Sequence, residues 1–249
     1  MEMFGVELWA TALVFARVGT MMMLFPAFGE QAIPAQIRLT FALLVTVVLA
    51  PTLQPVMPDA PNGVGGLAGA LIVEIMIGIA LGAIARILVA ALATAGQIIG
   101  METGLSFAQT ADPTMTATGQ VAAVFLGLLG TALVFATDLH HGFIKALAES
   151  YVLFRPVEAP ALGDVSELAV RAVSDSFRIG LQITAPLVFA GLVFRIGLGI
   201  LSRLIPQIQV FFVAMSVNVL GGFMIMALVL STGMLVWLDR LDQFATTLQ

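Results

Sequence analysis

Three charged residues lie within stretches that are otherwise apolar, and they are the first candidates for chemistry. Arg17 lies in the stretch 8–25, and Glu74 and Arg86 lie in the stretch 67–99. A charge inside a membrane helix is costly and commonly marks an ion path or a buried pair. Glu74 and Arg86 are about 18 Å apart along one helix, too far to pair on it. We expect partners on other helices or other chains; ion translocation and snorkelling to an interface stay open as alternatives.

The sequence offers little for catalysis or for cofactor binding. His140 and His141 are adjacent, so we expect their side chains to point to different sides of a helix, and the chain has no cysteine. We therefore predict no metal site. No Ser/His/Asp order, phosphate-binding loop or dinucleotide fingerprint is present in the sequence, so we predict no enzyme activity and no cofactor.

Two runs of glycine have the spacing of close helix contacts. Gly96, Gly100 and Gly104 follow one another at intervals of four, and Gly78 and Gly82 form a second pair. Glycines on one face of a helix allow another backbone to approach closely. The alternative is that glycine is simply common in membrane helices.

The segment 100–120 is polar although apolar stretches flank it. It is rich in Thr, Gly, Ser and Gln, and it contains Asp112 followed by Pro113, which predicts that the chain leaves regular helix here. Lipid cannot satisfy an irregular backbone, so such a loop lines a water-filled space or is buried in protein. An ordinary exposed connection is the alternative.

Composition sets the class of the protein. Of 249 residues, 60% are hydrophobic and 10% are charged, against about a quarter charged in soluble domains. The mean hydropathy is +1.07. We predict an all-α polytopic membrane protein with room for about six spans and no large extramembrane enzyme domain. The net charge of -5 leaves no basic patch for nucleic acid.

The apolar stretches predict the order of helices. Helices are expected over 8–25, 39–50, 67–99 and 121–136, followed by an amphipathic helix over 138–155. A further helix should open near Asp164 with a polar face and become apolar as far as residue 201. The stretch 204–238 has no charge but contains Pro206-Gln207, Gln209, Asn218 and Gly221-Gly222, and we predict two short helices there.

Several motifs, in order, resemble one known family. They are Arg17-Val18-Gly19 with Pro26, then Ile33-Pro34-Ala35-Gln36-Ile37-Arg38, then Gly96-Gln97-Ile98-Ile99 leading to Gly104-Leu105-Ser106 and Asp112-Pro113, and finally Pro206-Gln207-Ile208-Gln209-Val210-Phe211. Over essentially its whole length the chain resembles the FliR family of flagellar biosynthetic proteins. These are R subunits of the type III secretion export gate, and injectisome counterparts share the pattern.

The resemblance implies an architecture and a set of partners. The chain would be one export-gate subunit of broken helical hairpins, with a P-like part over about 1–185 and a Q-like part over 186–249. It would complete a helical pore with the P and Q subunits, FliP and FliQ, beside FlhB, in the bacterial inner membrane at the flagellar basal body. Unfolded flagellar proteins would pass through this pore. The rival is a self-contained ion or small-solute transporter that uses Glu74 and the arginines.

The resemblance also assigns roles to residues by their position. Four charges would be buried against neighbouring subunits: Arg17, Arg38, Glu74 and Arg86. Gly96, Gly100 and Gly104 would support close helix packing, and Pro206 and Gln207 belong to a family motif. A plug that closes the pore would lie within 106–120, with the residues Ser106, Phe107, Ala108, Gln109, Thr110, Asp112, Pro113 and Met115.

Overall fold

A computed structural model of the chain describes residues 2–25, 34–61, 63–104, 121–160, 162–204 and 210–247. Within these residues the chain is almost entirely helical and contains no strand. The predicted all-α fold of membrane type is therefore confirmed. The predicted plug segment 106–120 and the motif residues Pro206 and Gln207 lie outside the described residues.

The described residues form seven α-helices and one short 3₁₀ turn. In chain order they are α1 (Glu2–Leu24), α2 (Ala35–Leu53) with the 3₁₀ turn Gln54–Val56, α3 (Val64–Glu102), α4 (Val121–Ala136), α5 (Leu139–Leu153), α6 (Leu162–Leu204) and α7 (Val210–Thr247). Four of the helices are long and apolar enough to cross a membrane. The bent pair α4 and α5, with an angle of 75° between them, raises the number of candidate spans to five.

The prediction of two short helices over 204–238 is wrong for its described part, because α7 runs unbroken from Val210 to Thr247. Two of the features that suggested a break, Gly221-Gly222 and Asn218, are accommodated by packing. Gly222 lies against the side chain of Thr103, and the Asn218 side chain donates a hydrogen bond to the Glu102 carbonyl. Glycine weakens an exposed helix by about 1 kcal/mol, a cost that contacts of this kind offset.

The bend between α4 and α5 lies at two residues with no helical assignment, Thr137 and Asp138. Asp138 has a φ of 57°, the left-handed conformation that Asp and Asn tolerate better than most residues. The amphipathic helix predicted over 138–155 is present as α5, which begins immediately after this residue.

The chain divides into two compact units that interleave along the sequence. The first contains 1–88, 134–173 and 240–249, and the second contains 89–133 and 174–239. The predicted boundary between a P-like and a Q-like part, near 185/186, falls inside α6. That boundary concerns resemblance to the P and Q subunits rather than compactness, so it stays a prediction.

In the first unit, α1 packs closely against α3. A methyl group at Gly78 would overlap the Arg17 carbonyl oxygen and the Thr20 hydroxyl, and one at Gly82 would press on Met21 and Leu24. This second glycine pair therefore lies at a close helix contact. Nearby, Trp9, Leu13 and Ala70 form a buried cluster with Leu67, Leu71, Met57 and Val157 around it.

In the second unit, small residues again bring helices together. A methyl group at Gly96 would overlap the backbone of Ala123 on α4, so α3 and α4 touch at this point. Gly180 on α6 lies against Ala91 and Thr94 of α3. Among the described residues of the unit, the largest fully buried side chain is that of Trp237 on α7, and it packs beside Gly130 on α4.

Candidate functional site

The polar centre of the first unit is a buried ion pair between α1 and α3. Arg17 and Glu74 both have fully buried side chains, and Arg17 Nε lies 2.6 Å from Glu74 Oε2. Arg17 Nη2 donates a second bond to Glu74 Oε1 at 3.2 Å. This two-point geometry is the strong form of an arginine–carboxylate pair. Gly78, one helical turn after Glu74, permits the close approach of the two helices that the pair requires.

Every donor of the Arg17 guanidinium has an acceptor. The three bonds not made to Glu74 go to α5 and its end: Nη1 donates to the Ser150 carbonyl at 3.1 Å and to its hydroxyl at 3.4 Å, and Nη2 donates to the Phe154 carbonyl at 3.0 Å. Arginine has five N–H donors, so the buried cation is fully satisfied. Arg17 thereby joins α1, α3 and the C-terminal end of α5.

Glu74 also holds the connection after α5. Its Oε1 accepts a hydrogen bond at 3.0 Å from the backbone N–H of Val157. Val157 has a φ of 68°, a conformation that a β-branched residue adopts only under constraint. The bond to a buried carboxylate provides such a constraint, so the turn between α5 and α6 is shaped by the ion pair.

The single tyrosine of the chain completes the cluster. The Arg17 guanidinium carbon lies 3.9 Å from the centroid of the Tyr151 ring, within the range of a cation–π interaction. The Tyr151 hydroxyl is 3.5 Å from the Val14 carbonyl on α1. We call Arg17, Glu74, Ser150, Tyr151 and Val157 the ion-pair cluster. Its groups are enclosed and bonded to one another, an arrangement suited to holding helices in register.

For two of the four charges predicted at subunit interfaces, the structure gives a partner within the chain. Arg17 and Glu74 bind each other within one chain, which agrees with the expectation of partners on other helices, and their burial against a neighbouring subunit stays a prediction. The physical reason is the crossing of α1 and α3, which brings together residues far apart in the sequence. Arg38 is half-buried and Arg86 is exposed, and their contact with neighbours stays a prediction.

A second polar cluster lies at the C-terminal end of α3, in the second unit. Glu102 Oε2 accepts a bond from Arg195 Nη2 at 2.9 Å, and the Glu102 carbonyl accepts one from Asn218 Nδ2 at 2.7 Å. The end of α3 is thereby joined to α6 and α7. Gly191 faces the Glu102 carboxylate so closely that a methyl group there would overlap it. We call Glu102, Arg195 and Asn218 the α3-end cluster.

The predicted glycine row runs along the last turns of α3. Gly96 lies against α4, and Gly100 and Gly104 are both buried. Gly104 has a φ of 78°, the left-handed conformation with which helices commonly end. Only one residue, Leu105, separates this terminating glycine from the predicted plug segment in the sequence.

The two histidines do not diverge as predicted. Their ring centroids are 4.0 Å apart with an interplanar angle of 37°, so the expectation that they point to different sides is wrong. His140 lies in the first turn of α5, where the backbone has just left the non-helical Asp138. Helix periodicity sets the directions of the two Cα–Cβ bonds, and rotation about the side-chain bonds then brings the rings together.

Sequence reasoning did not identify several members of the two clusters. They are Ser150, Tyr151 and Val157 in the first unit and Glu102, Arg195 and Asn218 in the second. A signal existed for Arg195 and Asn218, because each is a polar residue within an apolar stretch and must find a partner. No signal existed for Val157, which contributes only its backbone N–H.

The family model for bacterial export proteins, family 1, matches residues 8–244. The chain is 46% identical over 234 residues to a flagellar biosynthetic protein FliR of Caulobacter vibrioides, covering 94% of this chain and 93% of that one. It is 30% identical to the Escherichia coli FliR, covering 88% and 82% of the two chains. It is 33% identical to the Aquifex aeolicus FliR, covering 87% and 83%. The chain therefore belongs to the bacterial export proteins of family 1, together with these FliR relatives.

Proposed function

We propose that the chain is a non-enzymatic subunit of the flagellar type III export gate in the bacterial inner membrane. The observation that carries this proposal is the family match, which extends over residues 8–244, together with relatives that are all named flagellar biosynthetic proteins. Family membership supports a role in flagellar export. Completion of a helical pore with FliP and FliQ beside FlhB, through which unfolded proteins pass, is the finer part of the proposal.

Exposed apolar surface supports assembly with other membrane proteins. In the apolar windows of α6 and α7, 17% of the residues are buried within the chain. Lipid can cover such faces, but lipid does not satisfy Arg86, which is exposed within the apolar helix α3. A neighbouring subunit that offers an acidic group would satisfy it. Arg86 is thus the residue through which the proposed assembly is most directly tested.

The internal bonding of the charged groups supports a structural role over a transporter. A transporting carboxylate must release its partner during the cycle. Releasing Glu74 would leave Arg17 as a buried cation without a counter-ion, at a cost of about 3–5 kcal/mol, and would also free the Val157 N–H. The cluster is therefore better suited to fixing helices than to carrying an ion.

The proposed plug would begin close to a fixed point. The α3-end cluster ties Glu102 to two other helices, and Gly104 ends the helix. A segment that closes a pore needs a rigid base from which it can move, and the end of α3 would supply one. We place the plug within 106–120 on the basis of family position.

Native mass spectrometry of the chain, expressed with FliP and FliQ and purified in mild detergent, tests the proposal. We expect one copy of the chain in a large hetero-oligomer. Arg86→Gln should reduce the assembled fraction, whereas Arg171→Gln should not, because Arg171 is exposed and paired with Glu167 on its own helix. A stable monomer or homo-oligomer in every preparation would refute the gate assignment and favour a self-contained transporter.

A further inference from the structure

We propose that Asp138, His140 and His141 form a binding site for a divalent transition-metal ion of the Zn²⁺ type. The three residues each offer one ligand atom, and these atoms all lie within 4.8 Å of one another. The site lies in the first unit, at the bend between α4 and α5. It is separate from the ion-pair cluster and does not depend on the proposed export role.

The spacing of the ligand atoms is close to that of a metal site. His141 Nδ1 lies 3.6 Å from Asp138 Oδ1. Two ligands of tetrahedral Zn²⁺, with bonds of about 2.0–2.1 Å, are roughly 3.3 Å apart. The side chains of His141 and Asp138 are 70% and 77% exposed, so rotation about their side-chain bonds is free to complete the closure. Water can occupy the fourth position.

The environment of His140 gives an independent indication. Its Nδ1 is enclosed and has no hydrogen-bond partner among the described residues. A buried polar atom without a partner costs about 1–3 kcal/mol. One face of this residue borders apolar side chains, among them Met21, Phe25 and Phe143. We assign this nitrogen as the His140 ligand atom, so that a metal ion bound beside His141 and Asp138 would supply the missing partner.

The donor set determines which metal is expected. Imidazole nitrogen suits Zn²⁺, Cu²⁺ and Ni²⁺, whereas Mg²⁺ and Ca²⁺ prefer oxygen ligands. The chain has two histidines and no cysteine, so both of its imidazoles belong to this cluster. A transition-metal ion that binds imidazole nitrogen in this chain can therefore bind only at these two histidines.

The position of the site suggests what the metal would do. Asp138 precedes α5 in a left-handed conformation, and α4 and α5 meet there at 75°. A bound ion would link the residue at the bend to the first turn of α5. It would thereby hold Asp138 in its left-handed conformation against the start of α5.

The test uses the full-length chain in detergent, purified with a tag that contains no histidine. Isothermal titration with Zn²⁺ should show binding of one equivalent. His140→Ala, His141→Ala and Asp138→Asn should each lower the affinity at least tenfold, since even residues outside the coordination shell change metal affinity about 10–100-fold. Glu158→Gln, an exposed acidic residue elsewhere in the same unit, is the matched control and should leave binding unchanged.

A spectroscopic measurement on the unmodified chain keeps the test independent of how the variants fold. Pulsed electron paramagnetic resonance with one equivalent of Cu²⁺ should show coupling to imidazole nitrogen, and the double variant His140→Ala/His141→Ala should abolish it. Binding of equal strength in the double variant would overturn the proposal. So would the absence of a stoichiometric Zn²⁺ site in the unmodified chain, or Cu²⁺ coupling without imidazole nitrogen.

Discussion

Replacing Glu74 by Gln is the most informative single change to the ion-pair cluster. Glutamine keeps the size of the side chain and one acceptor oxygen, but it removes the charge that faces Arg17. Arg17 would remain fully buried with only the neutral acceptors Ser150 and Phe154 beside the new amide. The Val157 N–H would also lose its charged acceptor.

The expected loss of stability follows from the complete burial of both side chains. Removing one partner of a buried ion pair costs about 3–5 kcal/mol, because the other charge stays desolvated without compensation. In a chain of this size 1 kcal/mol shifts Tm by about 2–4 °C, so Glu74→Gln should lower Tm by roughly 6–20 °C. The double variant Arg17→Met/Glu74→Gln should lose less, because no unpaired charge remains.

Circular dichroism of the full-length chain during heating in detergent measures these shifts, and the chain contains a matched control. Arg171 and Glu167 form an ion pair one turn apart on α6, and both side chains are largely exposed. Glu167→Gln should cost about 0.5 kcal/mol or less. If Glu74→Gln lowers Tm no more than Glu167→Gln does, the cluster does not hold the first unit together. Intact stability and assembly with abolished ion or solute transport would instead favour the self-contained transporter.

Two further predictions concern close contacts and the end of α3, and both use the same thermal measurement. Gly78→Ala forces a methyl group into the backbone of α1 and should destabilise the chain by about 1–3 kcal/mol. The control is Gly69→Ala, which has open space around it and should be neutral or stabilising by up to about 1 kcal/mol. Equal Tm values for the two variants would contradict the close crossing. Asn218→Ala removes the bond to the Glu102 carbonyl and should cost about 1 kcal/mol of stability. Ser231→Ala, at an exposed position of α7, should cost less. A larger loss of stability for Ser231→Ala than for Asn218→Ala would refute a role for Asn218 at the α3 end.

Apolar periodicity and length were sufficient to predict the class of fold and the order of most helices. The predicted break within 204–238 failed because a Gly-Gly pair and an asparagine looked like interruptions. In the folded chain Gly222 receives Thr103, and Asn218 bonds to the end of α3. Both contacts come from residues more than a hundred positions away, so no local rule could have identified them.

The sequence predicted that the buried charges need partners, but it did not predict which residues pair. The cost of a charge in an apolar stretch correctly singled out Arg17 and Glu74 as residues that need partners. Their separation along the chain gave no indication that they would meet each other. That depends on where α1 crosses α3, which is determined by Gly78 and the neighbouring side chains. The hydrogen bond from Val157 to Glu74 could not be predicted, because Val157 donates through its backbone N–H and adopts a conformation that valine disfavours.

The ion-pair cluster and the α3-end cluster both fix the position of apolar helices along one another, and they differ in how strongly they do so. Helices that are apolar on all sides slide past one another easily, because lipid tails and apolar side chains offer similar contacts at every register. A buried bidentate pair has one low-energy geometry, and a shift by one turn would leave both charges unpaired. The ion-pair cluster therefore sets one register of α1, α3 and α5. At the α3 end, Arg195 is exposed and its bond to Glu102 is weaker, so that junction depends also on the Asn218 bond to the Glu102 carbonyl.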